Sequence, residues 1–178
     1  MSVYIVRHGQ TDWNLAYKIQ GRIDVPLNEE GIRQAKETAA KLREIPLDLI
    51  FVSPLERARQ TAEIINEGRD LPIIVDPRIQ EEYYGELEGH SRKEEVYLKQ
   101  RQSFFKRYPG GEGYLDVVAR VYSFLNEAKA KYREKNILLV CHGGMSRVVN
   151  TYFEDMSNEE FASYGLLNCE IKKYEFRD

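Results

Sequence analysis

Arg7 and His8 stand side by side where a short apolar run ends. The run Val3-Tyr4-Ile5-Val6 reads as a buried strand, and Gly9 after the pair suits a tight turn. Open α/β sheets place their ligand sites at the carboxyl ends of strands. A cation beside an imidazole there describes an anion pocket holding a nucleophile or an acid/base. The pattern returns at Ile137-Leu138-Leu139-Val140-Cys141, which ends in His142-Gly143-Gly144. A third run, Leu47-Asp48-Leu49-Ile50-Phe51-Val52, leads into Ser53-Pro54-Leu55-Glu56-Arg57. Parallel strands expose their carboxyl ends on one edge, so His8, His142 and Arg57 can meet although far apart in sequence. Two histidines, two arginines and a nearby carboxylate are what a phosphomonoester requires. Guanidinium groups match phosphate with paired donors, and helix N-termini add N–H groups.

The elements that must position these residues follow from periodicity and punctuation. A helix is predicted over residues 29–44, with Ile32, Ala35, Ala39 and Leu42 on one face, Asn28 as its cap and Pro46 beyond its end. Ser53-Pro54-Leu55-Glu56 reads as a capping box with proline at the first helical position, which puts Arg57 and Arg59 in or next to the first turn. Leu71 to Val75 reads as a third strand. Ser91 and Glu94 form a second box, opening a helix that reaches about residue 107. Val117, Val121, Phe124, Leu125 and Ala128 mark a long helix, and Val148, Val149, Tyr152 and Phe153 the next. Leu167, Cys169 and Ile171 alternate as an edge strand. Strands alternating with helices predict an α/β fold, a three-layer α/β/α sandwich with a mostly parallel central sheet and an antiparallel edge strand.

Composition bounds what else the chain can be. The 178 residues suit a single domain over 1–178, and 31% charged against 42% hydrophobic residues describe a soluble globular protein. A net charge of −3, from 29 acids and 26 bases, points to no nucleic acid or anionic membrane partner. No apolar stretch approaches spanning length, and the N-terminus runs into a strand without a signal-peptide pattern. Cys141 and Cys169 lie in apolar runs, as expected of reduced, buried thiols in a cytoplasmic protein. The expected quaternary state is a monomer or homodimer.

Together these blocks resemble the histidine phosphatase superfamily, the phosphoglycerate mutase-like family. Arg7-His8-Gly9-Gln10-Thr11-Asp12-Trp13-Asn14 is similar to its signature, with Gln10 where glutamate is commoner. The likeness continues through Gln20-Gly21-Arg22-Ile23-Asp24-Val25-Pro26-Leu27, Ser53 to Ala62, Glu81 to Gly89, Pro109-Gly110-Gly111-Glu112 and His142-Gly143-Gly144, in family order. The resemblance implies that His8 is a nucleophile phosphorylated on a ring nitrogen. It implies that Arg7, Arg57 and His142 are cationic groups around the phosphoryl oxygens, that Asn14 and the Gly143 N–H are further contacts, and that Glu81 is the general acid/base. Gln20 and Gly21 would touch the substrate beside the phosphate. The implied substrate is a small phosphorylated metabolite, and the compact members of similar length include α-ribazole phosphatase and broad phosphomonoesterases. No cofactor and no metal are implied.

Competing readings rest on the same residues. No carboxylate or Cys/His cluster sits at ligand spacing around either histidine, which weighs against a metal site. Ser146 lacks a nucleophile elbow, Cys141 reads as core, His90 as a loop residue and Arg59 as a surface charge. Glu82 is the second choice for the acid, facing away from Glu81 in extended structure. Tyr84 and Arg92 are candidates for the rim. A bisphosphoglycerate-dependent mutase would use the same phosphohistidine, but mutases of the family carry adjacent arginines where this chain has Arg101-Gln102. A non-catalytic phospholigand-binding protein would predict loss of His8, Glu81 or an arginine, and all are present.

Overall fold

The computed structural model describes residues 1–176. In chain order its elements are β1 (Ser2–Arg7), α1 (Asp12–Leu15), α2 (Glu29–Leu42), β2 (Leu49–Val52), α3 (Glu56–Asn66) and β3 (Ile73–Val75). Two single-turn helices, Pro77–Ile79 and Gly85–Leu87, precede α4 (Glu95–Arg101), α5 (Tyr114–Lys131), β4 (Ile137–Cys141), α6 (Gly143–Phe153), α7 (Asn158–Ser163) and β5 (Ile171–Glu175). The strands form one sheet in the order β3-β2-β4-β1-β5, parallel except for β5, which pairs antiparallel with β1 at one edge. This is the predicted α/β/α architecture.

The layers follow from the pleat. Successive side chains of β4 alternate between faces: Ile137, Leu139 and Cys141 join a core with Val117, Val121, Phe124 and Leu125 of α5 and Met145, Val148 and Val149 of α6. Leu138 and Val140 face the other way, against Leu42 of α2 and Ala58, Ala62 and Ile65 of α3. All five residues of β4 are buried, as a central strand covered on both faces requires. Among the described residues no helix is long and apolar enough to cross a membrane.

Several expected boundaries move, each for a physical reason. Ser53 does not cap α3; its hydroxyl goes to His142, while both carboxylate oxygens of Asp24 accept the Glu56 N–H at 2.9 and 3.0 Å. The Ser91/Glu94 pair closes a turn, with Glu94 Oε1 accepting the Ser91 N–H at 3.0 Å, and the helix begins after it at Glu95. That helix ends at Arg101 rather than near 107, because Tyr108 turns inward and stacks its ring with Tyr97 and edge-on with Tyr84. β3 is three residues long and β2 four, shorter than predicted. Leu167 and Cys169 lie outside the edge strand. Cys169 has φ of 59°, donates its N–H to the Arg7 carbonyl and accepts from the Thr38 hydroxyl, so β5 starts only at Ile171. Both cysteines are buried and free.

Candidate active site

Strand register creates the site. Arg7 pairs with Cys141 across β1 and β4, so the next residues of both strands, His8 and His142, emerge together at the carboxyl edge. The His8 N–H continues the ladder to the Cys141 carbonyl at 2.9 Å, and Ser53 N–H bonds Val140 at the end of β2. The two imidazoles face each other with centroids 5.1 Å apart. Residues from opposite ends of the chain therefore share one pocket, as the strand pattern predicts.

His8 is held in one tautomer. Its Nδ1 lies 2.7 Å from the Gly9 carbonyl, which can only accept, so Nδ1 carries the proton and Nε2 keeps its lone pair. Arg57 Nε donates towards that Nε2 at 3.3 Å. Burial, reinforced by the charges of Arg57 and Arg7, holds the imidazole well below its usual protonation range. His8 is neutral and basic at Nε2, the state a nucleophile needs. Its carbonyl accepts from Asn168 Nδ2 at 2.9 Å, which fixes the backbone on the other side.

The cations around it differ in how they are anchored. Arg57, on the first turn of α3, is wholly buried, its remaining donors on the carbonyls of Ile23 (3.2 Å) and Gly21 (2.6 Å). Arg7 donates through Nη1 to the Leu166 carbonyl at 2.7 Å, while its buried Nε has no partner. Burial lowers both guanidinium groups to about 10, so both remain charged at neutral pH. His142 departs from the expected cation. Burial first, then Arg57, His8 and Arg7, pushes it well below its usual range, so it is a neutral imidazole. Its Nε2 meets the Ser53 hydroxyl at 2.7 Å and its buried Nδ1 is unpartnered.

Glu81 sits across from the histidines at the start of α6. Its carboxylate takes the N–H groups of Gly144 and Met145, and that of Glu82, each at 2.9 Å, so it acts as the cap that His142 does not provide. A side chain on Gly144 would meet Glu81 Oε1 and the Tyr84 hydroxyl at 2.6 Å, so glycine is what lets the carboxylate approach. Asn14 closes the short α1 by exchanging bonds with Thr11, and its Oδ1 also accepts from Asn168. Gln20 Oε1 accepts from the Thr11 hydroxyl at 2.7 Å, leaving its buried Nε2 unpartnered.

These groups open onto a cavity of about 210 Å³. Arg7, His8, Asn14, Gln20, Glu81 and Gly143 line it, and Tyr84 and Arg92 do so as expected of rim residues. Arg57 and His142 stand behind the lining and act through His8 and Ser53. Gly21 does not line the cavity; its carbonyl anchors Arg57 instead of touching a ligand. Glu82 turns away from the cavity into a buried setting, and Arg59 is a surface charge near Glu63. His90 is a loop residue paired with Glu94. Sequence reasoning missed Ser53 as a partner of His142, because the capping-box pattern explains the same serine. It missed Asn168 too, which carries no signal within an apparent strand. Among the described residues, no three His, Cys, Asp or Glu side chains gather where they could hold a metal ion.

Comparison with known proteins places the chain in a family. The family described as Histidine phosphatase superfamily (branch 1) matches residues 3–178. An uncharacterized phosphatase, PhoE, of Bacillus subtilis (strain 168) is 36% identical over 179 residues, covering 99% of this chain and 89% of its own. A probable phosphoglycerate mutase, GpmB, of Proteus mirabilis is 33% identical, covering 100% of this chain and 86% of its own. The crystal structure of α-ribazole phosphatase from Shigella flexneri superposes with a TM-score of 0.86 at 25% identity, covering 99% of this chain and 91% of that one.

Proposed function

The chain belongs to the histidine phosphatase superfamily, and on that premise we propose that it hydrolyses a small phosphomonoester through a phosphohistidine on His8, without a metal. The observation that carries this reading is the neutral His8 whose tautomer the Gly9 carbonyl sets, leaving Nε2 unprotonated beside Arg57 and Arg7. In the first displacement Nε2 attacks phosphorus, the N–P bond forms and the bond to the leaving oxygen breaks. Glu81 gives that oxygen its proton. In the second, water attacks phosphorus in line, Glu81 takes its proton, the N–P bond breaks and inorganic phosphate leaves.

Charge over the equatorial oxygens is matched by Arg7 at the cavity surface, with Arg57 behind His8 and the start of α6 adding positive potential. Asn14 and Gln20 present amides at the cavity surface beside His8; Asn14 is assigned to the phosphoryl oxygens and Gln20 to the substrate beside them. The remaining Gly143 N–H, not among those Glu81 takes, adds a donor at a helix N-terminus.

The test is phosphate release from a panel of phosphomonoesters in excess EDTA, with His8→Ala as control. Release that survives EDTA and needs His8 supports the reading; an active His8→Ala enzyme overturns it. The likeness to GpmB supports a second reading, a mutase that returns the phosphoryl group to substrate. Bisphosphoglycerate-dependent interconversion of 3- and 2-phosphoglycerate without net phosphate release would favour it.

A further inference from the structure

Asn168 reaches two residues of the site with one nitrogen. Its Nδ2 donates to the His8 carbonyl at 2.9 Å and to Asn14 Oδ1 at 3.2 Å. A backbone carbonyl can only accept, so the nitrogen of this amide faces His8, and both of its N–H groups are used. The first bond completes the restraint on the nucleophile's own backbone. The His8–Gly9 peptide is held at its carbonyl by Asn168 and at its N–H by Thr61 Oγ1, at 3.0 Å. That peptide plane places Gly9, whose carbonyl sets the His8 tautomer. The second bond decides what Asn14 offers. Its Oδ1 accepts from Asn168 and from the Thr11 N–H, each at 3.2 Å, so the Asn14 amide is turned one way. Nδ2, 3.4 Å from Gln20 Oε1, is the end left to give a donor to a ligand in the cavity that Asn14 lines.

The segment that carries Asn168 is fastened to the same strand end on both sides. The Leu166 carbonyl accepts from Arg7 Nη1 at 2.7 Å, and the Cys169 N–H donates to the Arg7 carbonyl at 2.9 Å. Cys169 has φ of 59°, a left-handed backbone that a residue with a side chain adopts where its surroundings hold it. The Thr38 hydroxyl, donating to its carbonyl at 2.9 Å, is part of that hold. Asn168 is half-buried, and Tyr164 to Leu167 before it line the cavity. Among short side chains, asparagine alone brings two N–H donors on one nitrogen, and aspartate of the same shape brings none when ionised.

We propose that Asn168 is a positioning residue for phosphoryl transfer: its amide fixes the His8 backbone for in-line attack and turns the Asn14 donor towards the phosphoryl oxygens. This rests on the phosphoryl chemistry assigned to His8 and Asn14. Asn168 touches no reacting atom, so its effect falls mainly on kcat.

The test measures phosphate release from p-nitrophenyl phosphate, and calorimetric binding of orthovanadate, which mimics the five-coordinate phosphoryl group in transfer, beside that of inorganic phosphate. Asn168→Asp keeps the shape and removes both donors. Its kcat should fall by about 100-fold with KM within about threefold, and vanadate binding should weaken by a similar factor while phosphate binding changes by less than about threefold. In an Asn14→Ala background the same substitution should cost less, because one of the two acceptors is gone. Asn168→Ala gives the same readout at about tenfold if Asn168→Asp does not fold. A kcat within about twofold of wild type in both variants overturns the proposal. So do equal losses in vanadate and phosphate binding, or a cost that Asn14→Ala leaves unchanged. A wild type that neither releases phosphate nor binds vanadate rejects the phosphohistidine reading, and the proposal with it; a wild type that does both while the variants match it rejects the proposal alone.

Discussion

The floor of the cavity is made of strand ends and the wall of loops and short helices, and the two obey different rules. On the floor, His8, His142 and Ser53 each follow a parallel strand directly, in a register the sheet enforces, and Arg57 begins the next helix. Their hydrogen bonds are short and mutual: His8 to Gly9, His142 to Ser53, Glu81 to the start of α6. On the wall, Tyr84 packs edge to face on Tyr97 and Tyr108, which stack on each other, and Arg92, Arg101 and Arg147 stand without counter-ions among the described residues. Preorganised dipoles that do not move during reaction are what phosphoryl transfer rewards. A wall of adaptable rings and unpaired charges suits the part of a ligand that varies.

If this division holds, substitutions on the floor strike turnover and those on the wall strike stability or selectivity. The largest effect is expected for His8→Ala, which should cut kcat by about 10⁴-fold or more in a phosphate-release assay while the circular dichroism spectrum is unchanged. Glu81→Gln should slow alkyl phosphates by about 10²- to 10⁴-fold, yet p-nitrophenyl phosphate much less, because that leaving group needs little protonation. Equal losses on both would mean that Glu81 serves only as the helix cap.

Ser53→Ala leaves His142 Nε2 buried without its partner, so we expect about a tenfold fall in kcat with KM little changed and about 1 to 3 kcal/mol lost in urea unfolding. A rise in KM alone would move Ser53 from the floor to the wall.

Glu82 sharpens the comparison through pH. Its carboxyl ionises near 4.5 in an exposed chain and is raised to about 8 in the fold, chiefly by burial. Between these values the folded state binds the extra proton, so this group's contribution to stability is full below about 4.5 and falls as pH rises towards about 8. Glu82→Gln should flatten that slope, read by urea unfolding at pH 5 and pH 8. The smallest effect is expected for Tyr108→Phe, which removes a buried hydroxyl that has no partner. Its Tm should stay level or rise, by about 1 kcal/mol of stability at most.

The same division explains what could be read from residues alone. A short apolar run ending in histidine is a local pattern, and parallel pairing converts two such patterns into one pocket without further information. The predicted boundaries failed where a residue had two uses. Ser53 fits a capping box by type and spacing, but Asp24, 32 residues before Glu56, caps α3 and frees the serine for His142. Cys169 continues an alternating pattern, yet its left-handed backbone and its bond to Arg7 belong to the site rather than to β5. The wall was least legible, because an arginine without a partner has the same letter as one in an ion pair.

The position of β1 has a kinetic consequence. It opens the chain, but its sheet neighbours β4 and β5 come from the far end, and the nucleophile hangs on the first of these pairings. Such non-local closure must meet its loop entropy before any contact rewards it, which places the chain among slower-folding topologies. A growing chain still lacking β4 has His8 in its sequence but no neighbouring strand to orient it. Activity should therefore return on refolding together with sheet closure and not before it, and a growing chain should be silent until β4 has been made.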